Sequence, residues 1–409
     1  MDVKIYPNRL KGKIPFIPGK SHIHRIIIAE ALASCSEKSE IADSMTAANM
    51  PLSDDTKRTF EAVRLLKSKA PVVDCGASGT TLRMLLPVFG VLCNSSTFLT
   101  DNQLSDRPVS ELTEQMASHG CNVHRRGNIF SLSGRLQGGD FFIPGDISSQ
   151  YISGLLFALP LTDEGGNIIL TTELSSGRYV DLTMETLENF GITVHRDNNS
   201  GYGTFAVPGR QKYQRPEKIF VHRDWSSTAF WLTAAFAGSD LTLDEQDICH
   251  DSSCMDNTGY PLPDMEIRDI LKRMGSPDRI ILDCDGIPDL VPVLAVAAAL
   301  RPSSSVTELT GLKRLRYKES DRIKTSAQML KSLGGSVSFT DSSMCIVSVG
   351  GLKGGMADGS EDHRIVMAAA TAATACIDPV IISGADAVNK SYPRFFEDFK
   401  ALGGRIEIL

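Results

Sequence analysis

Six stretches of this chain place a polar or charged cluster directly before a helix-prone run that has almost no polar face. The clusters are KSHIHR at Lys20, GASGTT at Gly76, SSQ at Ser148, DWSS at Asp224, IPD at Ile287 and DHR at Asp362. The runs behind them read IIIAEALA, LRMLLPVFGVL, YISGLLFALPL, TAFWLTAAFAG, LVPVLAVAAAL and IVMAAATAATA. A helix that is apolar on every side is a buried one. Its N-terminus carries unpaired N–H groups and a partial positive charge, so it attracts anions. Six such ends gathered in one place would trap anions, which points to an enzyme acting on phosphorylated, carboxylated small molecules.

A second signature alternates with the first: an amphipathic helix that ends in Gly and runs into a β-prone segment. Its copies reach Gly120, Gly191, Gly275, Gly334 and Gly403, where Gly takes the left-handed C-cap conformation at low cost. The stretch FEAVRLLKSKAPVVDC reads as a sixth copy without its Gly. Six units in 409 residues give about 68 residues each, longer than the ~20–50 of solenoid repeats and suited to a βαβαββ unit. RRGN at Arg125 and TDSS at Thr340 are candidate hairpin turns.

A chain of 409 residues exceeds the ~250–300 at which a single core stops growing, so two domains are expected. The boundary falls near VHRDWSS, after three units. The first strand precedes the first polar cluster and is expected to pack with the C-terminal half. The expected domains are therefore residues 1–18 plus 223–409, and residues 19–222, with Gly19 and Arg223 at the hinge.

The net charge of −7 argues against a nucleic-acid partner. The nine cysteines contain no C-x-x-C, and Cys249 and Cys254 beside His250 make a poor zinc site. No metal is expected, and the thiols read as reduced cysteines of a cytoplasmic protein, expected as a monomer. The N-terminal MDVKIYPNRL lacks a signal-peptide profile, and no apolar run reaches the ~20 residues that span a membrane. Two short matches mislead. Gly19-Lys20-Ser21 ends like a P-loop, but Ile14 stands where its first Gly belongs. His222-Arg223-Asp224 spells a kinase triplet, but Ala229 stands where its Asn belongs.

The most specific string is RYKESDR, with Arg316, Lys318 and Arg322 among Glu319 and Asp321. By itself it reads as a solvated helix start laced with salt bridges. DHR and NKSYPRFF add His363, Arg364 and Lys390 beside apolar helices, where buried cations require partners. Arg107 is followed by Pro108, which fixes its backbone outside a helix. Ser148, Ser149 and Asp289 taken singly read as helix N-caps.

Ten motifs in order across nearly the whole chain carry a resemblance: PGKSHIHR, SGTTLR, DRPVSEL, SSQYISGLL, SSGRYVDLT, DWSSTAF, IPD, YKESDR, DHR and NKSYP. In these the chain resembles the 5-enolpyruvylshikimate-3-phosphate synthase family. The resemblance implies an α+β fold of two domains, each of three βαβαββ units, closing on substrates at a cleft. It implies transfer of the enolpyruvyl group of phosphoenolpyruvate to the 5-hydroxyl of shikimate 3-phosphate, with release of phosphate and no metal or organic cofactor.

Carried over residue by residue, shikimate 3-phosphate would be held by Lys20, Ser21, Arg25, Ser148, Ser149, Gln150, Ser176, Tyr179, Asp289 and Lys318. Phosphoenolpyruvate would be held by Lys20, Gly79, Arg107, Gln150, Arg322, Arg364 and Lys390. These roles make sense by charge, since arginine donates two parallel hydrogen bonds to carboxylate or phosphate. Asp289 fits the base or positioner at the 5-hydroxyl, and Glu319 the acid at the methylene carbon, with Lys20 as rival or partner.

The chain departs from many relatives at Ala77, where they carry Asn, and at His24, where they also carry Asn. It reads PGK rather than PGSK, has Met84 after Arg83, and lacks Gln-Gly before Asp264. None of these removes a charge of the site. One alternative is the related transferase that uses UDP-N-acetylglucosamine and, in many members, a loop cysteine. Cys121 is the nearest candidate by region, but it lies in the amphipathic signature and reads as packing. The other is a repeat scaffold binding anions.

Overall fold

A computed structural model of the chain describes residues 1–37, 52–243, 262–276 and 278–409. The cluster around Cys249, His250 and Cys254 lies outside them. The chain divides into two compact units, Met1–Gly19 with His222–Leu409, and Lys20–Val221.

The second unit contains two copies of one pattern. In the first, Val72–Gly76 runs into the helix Gly79–Leu92 and returns as the parallel strand Ser95–Thr100. The helix Ser110–Ser118 then leads to the hairpin of Cys121–Arg126 and Ile129–Gly134. Gly127 and Asn128 form its turn, at the RRGN position. The second copy has Gly139–Ile143, the helix Ser149–Ala158, parallel Gly165–Leu170, the helix Gly177–Asn189, and strands His195–Asp197 and Thr204–Pro208. In both sheets the last strand sits between the second and the third. The βαβ crossover accounts for the parallel pair, and the hairpin for the antiparallel one.

The first unit repeats this twice more. Ile280–Asp283, the helix Val291–Ala299, Val306–Thr310, the helix Arg322–Ser332, Ser336–Phe339 and Met344–Val347 form one copy. The other comprises Gly355–Asp358, the helix His363–Ala373, Val380–Ser383, the helix Phe395–Ala401 and Arg405–Ile408. Its fourth strand is Val3–Tyr6, from the far end of the chain, paired to both Val380–Ser383 and Arg405–Ile408. Among the described residues, four sheets have four strands and a fifth pairs only Lys11–Lys13 with Asp240–Thr242. The other two of the six expected units therefore lack a four-stranded sheet among those residues.

All six apolar helices form and lie in the cores. Val291–Ala299 and His363–Ala373 are buried along their whole lengths. Helices this apolar pack closely only where side chains are small. A methyl on Gly154 would stand 2.6 Å from the carbonyl oxygen of Arg83, so the Ser149–Ala158 and Gly79–Leu92 helices meet there backbone to backbone. Gly120, Gly191, Gly334 and Gly403 take positive φ after their helices, as the C-cap pattern requires. Gly275 does not: its φ is −66°, and its N–H donates to Lys272 O within the last helical turn.

Where the chain passes from one unit to the other, its two segments pair. Gly19 N donates to His222 O at 2.8 Å, and Asp224 N to Ile17 O at 2.7 Å. Among the described residues no helix is long and apolar enough to cross a membrane.

Candidate active site

In the first unit, three helix beginnings bring their polar clusters together. Asp289 stands just ahead of the Val291–Ala299 helix, Arg322 opens the Arg322–Ser332 helix, and Asp362 caps the His363–Ala373 helix by accepting from Arg364 N at 3.0 Å. Arg322 is 1% exposed and is the hub. It donates through Nε to Asp362 Oδ2 at 2.8 Å, through Nη1 to Asp289 Oδ1 at 2.7 Å, and through Nη2 to Glu319 Oε2 at 2.5 Å. Arg364 Nη2 donates to the other oxygen of Asp289 at 3.0 Å, and Lys318 Nζ lies 3.7 Å from Oδ1. Five of the residues singled out from sequence thus converge: Asp289, Lys318, Glu319, Arg322 and Arg364. Lys390 instead donates to Glu361 O at 2.9 Å, one residue before Asp362.

The electrostatics follow from this packing. Burial alone would raise the Asp289 carboxyl, but Arg364, Lys318 and Arg322 overcome it and hold the group well below the usual carboxylate range. Burial pulls the Lys318 ammonium down to about 8, against the opposing pull of Asp289. Burial also works against the Arg322 charge, yet Asp362, Glu319 and Asp289 together raise its pKa above the ordinary guanidinium value. The salt-laced surface reading of RYKESDR holds for Arg316, which reaches Asp341 at 3.1 Å on the exterior, and fails for Arg322.

Asp289 is not at a cap position: Ile287 flanks the short turn Pro288–Leu290 and Leu290 flanks the Val291–Ala299 helix. Its carboxylate turns to the cations instead, so the N-cap reading is overturned there. For Ser148 the N-cap reading stands, because its hydroxyl accepts from Gln150 N at 3.3 Å. Ser149 is the first residue of that helix.

In the second unit the helix start at Gly79 forms a cradle. A methyl on Gly79 would lie 3.0 Å from Arg107 Nη1 and 3.2 Å from Arg83 Nη1, so the bare Cα admits two guanidinium groups. Gln150 Nε2 donates to Thr80 Oγ1 at 2.9 Å, and Arg83 Nη1 donates to Gln150 Oε1 at 3.0 Å. Arg83 was not among the candidates. It is 4% exposed, and Nε and Nη2 both donate to Pro108 O, at 3.1 and 2.8 Å. Its signal was available: a lone cation inside the apolar run LRMLLP has to find partners.

Lys20, at the start of the Lys20–Glu37 helix, donates to Asp55 Oδ2 at 2.9 Å. Arg25, further along the same helix, is buried and donates to protein acceptors. Thr183 Oγ1 lies 2.7 Å from Nε, Ser21 O 2.6 Å from Nη1, and Tyr179 O 2.7 Å from Nη2. Burial lowers its guanidinium to about 9. Arg25 therefore ties Ser21 and Tyr179 to one place through their carbonyls. Ser176 has a left-handed φ of 57° ahead of the Gly177–Asn189 helix. Cys121 is fully buried, and burial pushes its thiol up to about 11, so it packs as expected and is no nucleophile. No cluster of metal-ligating side chains occurs among the described residues.

Comparison with known proteins gives one consistent result. The family model described as EPSP synthase (3-phosphoshikimate 1-carboxyvinyltransferase) matches residues 5–399. A 3-phosphoshikimate 1-carboxyvinyltransferase of Clostridium perfringens is 36% identical, with 98% of each chain covered. One from Clostridium kluyveri is 34% identical over 99% of this chain and 98% of its own. Among solved structures, an EPSP synthase from Acinetobacter baumannii superposes with a TM-score of 0.75 over 100% of both chains at 22% identity. The enolpyruvyl transferase NikO from Streptomyces tendae gives 0.66 at 15% identity, over 99% of this chain and 98% of its own.

Proposed function

The chain belongs to the EPSP synthase family, and from that premise we propose that it transfers the enolpyruvyl group of phosphoenolpyruvate to the 5-hydroxyl of shikimate 3-phosphate. The products are 5-enolpyruvylshikimate 3-phosphate and phosphate. The observation that carries the residue roles is the meeting of Asp289, Lys318, Glu319, Arg322 and Arg364, up to 75 residues apart in sequence. Loaded ion networks of this kind occur where charged substrates are handled.

In this reading shikimate 3-phosphate is bound by Lys20, Ser21, Arg25, Ser148, Ser149, Gln150, Ser176, Tyr179, Asp289 and Lys318. Phosphoenolpyruvate is bound by Lys20, Gly79, Arg107, Gln150, Arg322, Arg364 and Lys390. Glu319 gives a proton to the methylene carbon while the 5-hydroxyl oxygen attacks the adjacent carbon, and the hydroxyl proton passes through Lys20 to the departing phosphate. Loss of phosphate and of a proton from the new methyl group then restores the double bond. Glu319 and Lys20 are the proton carriers. Asp289, with both oxygens held by cations, is too weak a base to take a proton by itself, and it serves as the acceptor that orients the hydroxyl.

The relatives' names favour this reaction over transfer to UDP-N-acetylglucosamine, and the buried Cys121 supports the same choice. The test is phosphate release from phosphoenolpyruvate with each acceptor offered separately. Release with shikimate 3-phosphate alone is expected; release only with UDP-N-acetylglucosamine, or with neither, would overturn the reading.

A further inference from the structure

Two helices of the second unit, Lys20–Glu37 and Asp54–Val63, are linked by rungs of polar side chains. Lys20 Nζ donates to Asp55 Oδ2 at 2.9 Å. One turn further along each helix, His24 Nδ1 meets Thr59 Oγ1 at 2.7 Å. The equal four-residue steps make this the next rung of the same ladder. Thr59 Oγ1 in turn meets Thr81 Oγ1 at 2.6 Å, and the Thr81 hydroxyl donates to Ser78 Oγ at 2.7 Å. Ser78 caps the Gly79–Leu92 helix by accepting from Thr81 N at 3.3 Å. His24, Thr59, Thr81 and Ser78 are all buried.

Proton counting fixes the direction of this chain. Each hydroxyl has one proton to give. The Thr81 hydroxyl gives its proton to Ser78 Oγ at 2.7 Å, with Asp55 O a more distant acceptor at 3.5 Å; either way it accepts from Thr59, and Thr59 accepts from His24 Nδ1–H. The imidazole is therefore the Nδ1–H tautomer. Its Nε2 carries a lone pair and finds no hydrogen-bond partner among the described residues. Burial, then Lys20 and Arg25, hold the ring well below the usual histidine range, so it stays neutral. The hydrogen bonds run one way, from His24 to the cap of the helix that presents Gly79.

We propose that His24 is a positioning residue for phosphoenolpyruvate: through Thr59 and Thr81 it fixes the start of the Gly79–Leu92 helix. This rests on the assignment of Gly79 and Arg107 to that substrate. The margin at this point is small, because a methyl on Gly79 would already stand 3.0 Å from Arg107 and 3.2 Å from Arg83. A helix start displaced by a fraction of an ångström narrows the cradle in the same way.

The experiment is steady-state kinetics of wild type, His24→Asn, His24→Leu and Thr81→Val, with each substrate varied in turn and thermal denaturation alongside. The Asn amide N–H can stand in for Nδ1–H towards Thr59; Leu and Val break the chain. His24→Leu and Thr81→Val are expected to raise KM for phosphoenolpyruvate about tenfold, the size of effect that a slight misplacement produces. KM for shikimate 3-phosphate should hold, and His24→Asn should restore wild-type values. A lowered melting temperature with both KM values unchanged would overturn the proposal, as would Asn behaving like Leu. If His24→Leu does not fold, the isosteric Thr81→Val carries the same test. A wild-type protein that turns over neither substrate would overturn the assigned reaction itself, a different failure from an active wild type with unaffected variants.

Discussion

Asp289 and Arg364 are joined twice, by Nη2 to the carboxylate Oδ2 at 3.0 Å and by Nη1 to the main-chain oxygen at 3.3 Å. Arg322 takes the other carboxylate oxygen at 2.7 Å. A carboxylate gripped on both sides by guanidinium groups is a fixed acceptor rather than a mobile base. Replacing it by Asn keeps the shape and loses the charge that orients the hydroxyl. Asp289→Asn is expected to lower kcat by about 100-fold, the scale of a reacting group left misoriented, with much smaller changes in either KM. A variant that raised KM at unchanged kcat would remove this role.

Gly79→Ala should act on one substrate only. The added methyl would press on Arg107 and Arg83, where phosphoenolpyruvate is proposed to bind. KM for phosphoenolpyruvate is expected to rise by roughly tenfold, because both guanidinium groups must give by a few tenths of an ångström where they meet the substrate, while KM for shikimate 3-phosphate stays put. Equal effects on both substrates, read from initial rates, would count against the cradle.

Arg322→Met tests the hub as a structural element. It leaves Asp362, Glu319 and Asp289 crowded together without their shared cation. Breaking a buried pair in this manner costs about 3–5 kcal/mol. Urea denaturation is expected to show that loss, partly recovered when Asp362→Asn is added. A variant as stable as wild type would mean that the network contributes nothing net.

Lys318 gives a pH signature. Its ammonium, pulled down to about 8 mainly by burial, loses its charge there in the free enzyme. The value of kcat/KM for shikimate 3-phosphate should therefore fall as pH rises through about 8, and Lys318→Arg should abolish that limb. Stability moves the opposite way. The unfolded chain, with Lys near its ordinary ~10.4, binds the proton more tightly, so this residue makes stability rise with pH between the two values. An alkaline limb unchanged in Lys318→Arg would assign it to another group.

Much of the fold was legible because it is written in composition. Runs such as LVPVLAVAAAL admit no exposed face, and Val291–Ala299 is accordingly buried throughout. The left-handed Gly after an amphipathic helix was legible at Gly120 and Gly403. It failed at Gly275, where right-handed backbone closes the turn at no penalty for Gly. The assembly of charges was less legible. Arg322, Asp289 and Asp362 are separated by 33 and 40 residues, and only the sheet topology brings their helix starts together. Arg83 in its apolar run signals a need for partners but not which ones, and His24, Thr59 and Thr81 disclose no link between them. Their partners lie on other helices, at spacings no local pattern encodes.

The central chemical claim is that the enzyme protonates the methylene carbon before phosphate leaves. Mass spectrometry of the product formed in deuterium oxide tests it most directly. The account predicts deuterium in the enolpyruvyl methylene of 5-enolpyruvylshikimate 3-phosphate, carried there through a transient methyl group, and turnover sharply slowed in Glu319→Gln. Full conversion with no deuterium in that methylene would contradict it, because no proton would then have been added and removed.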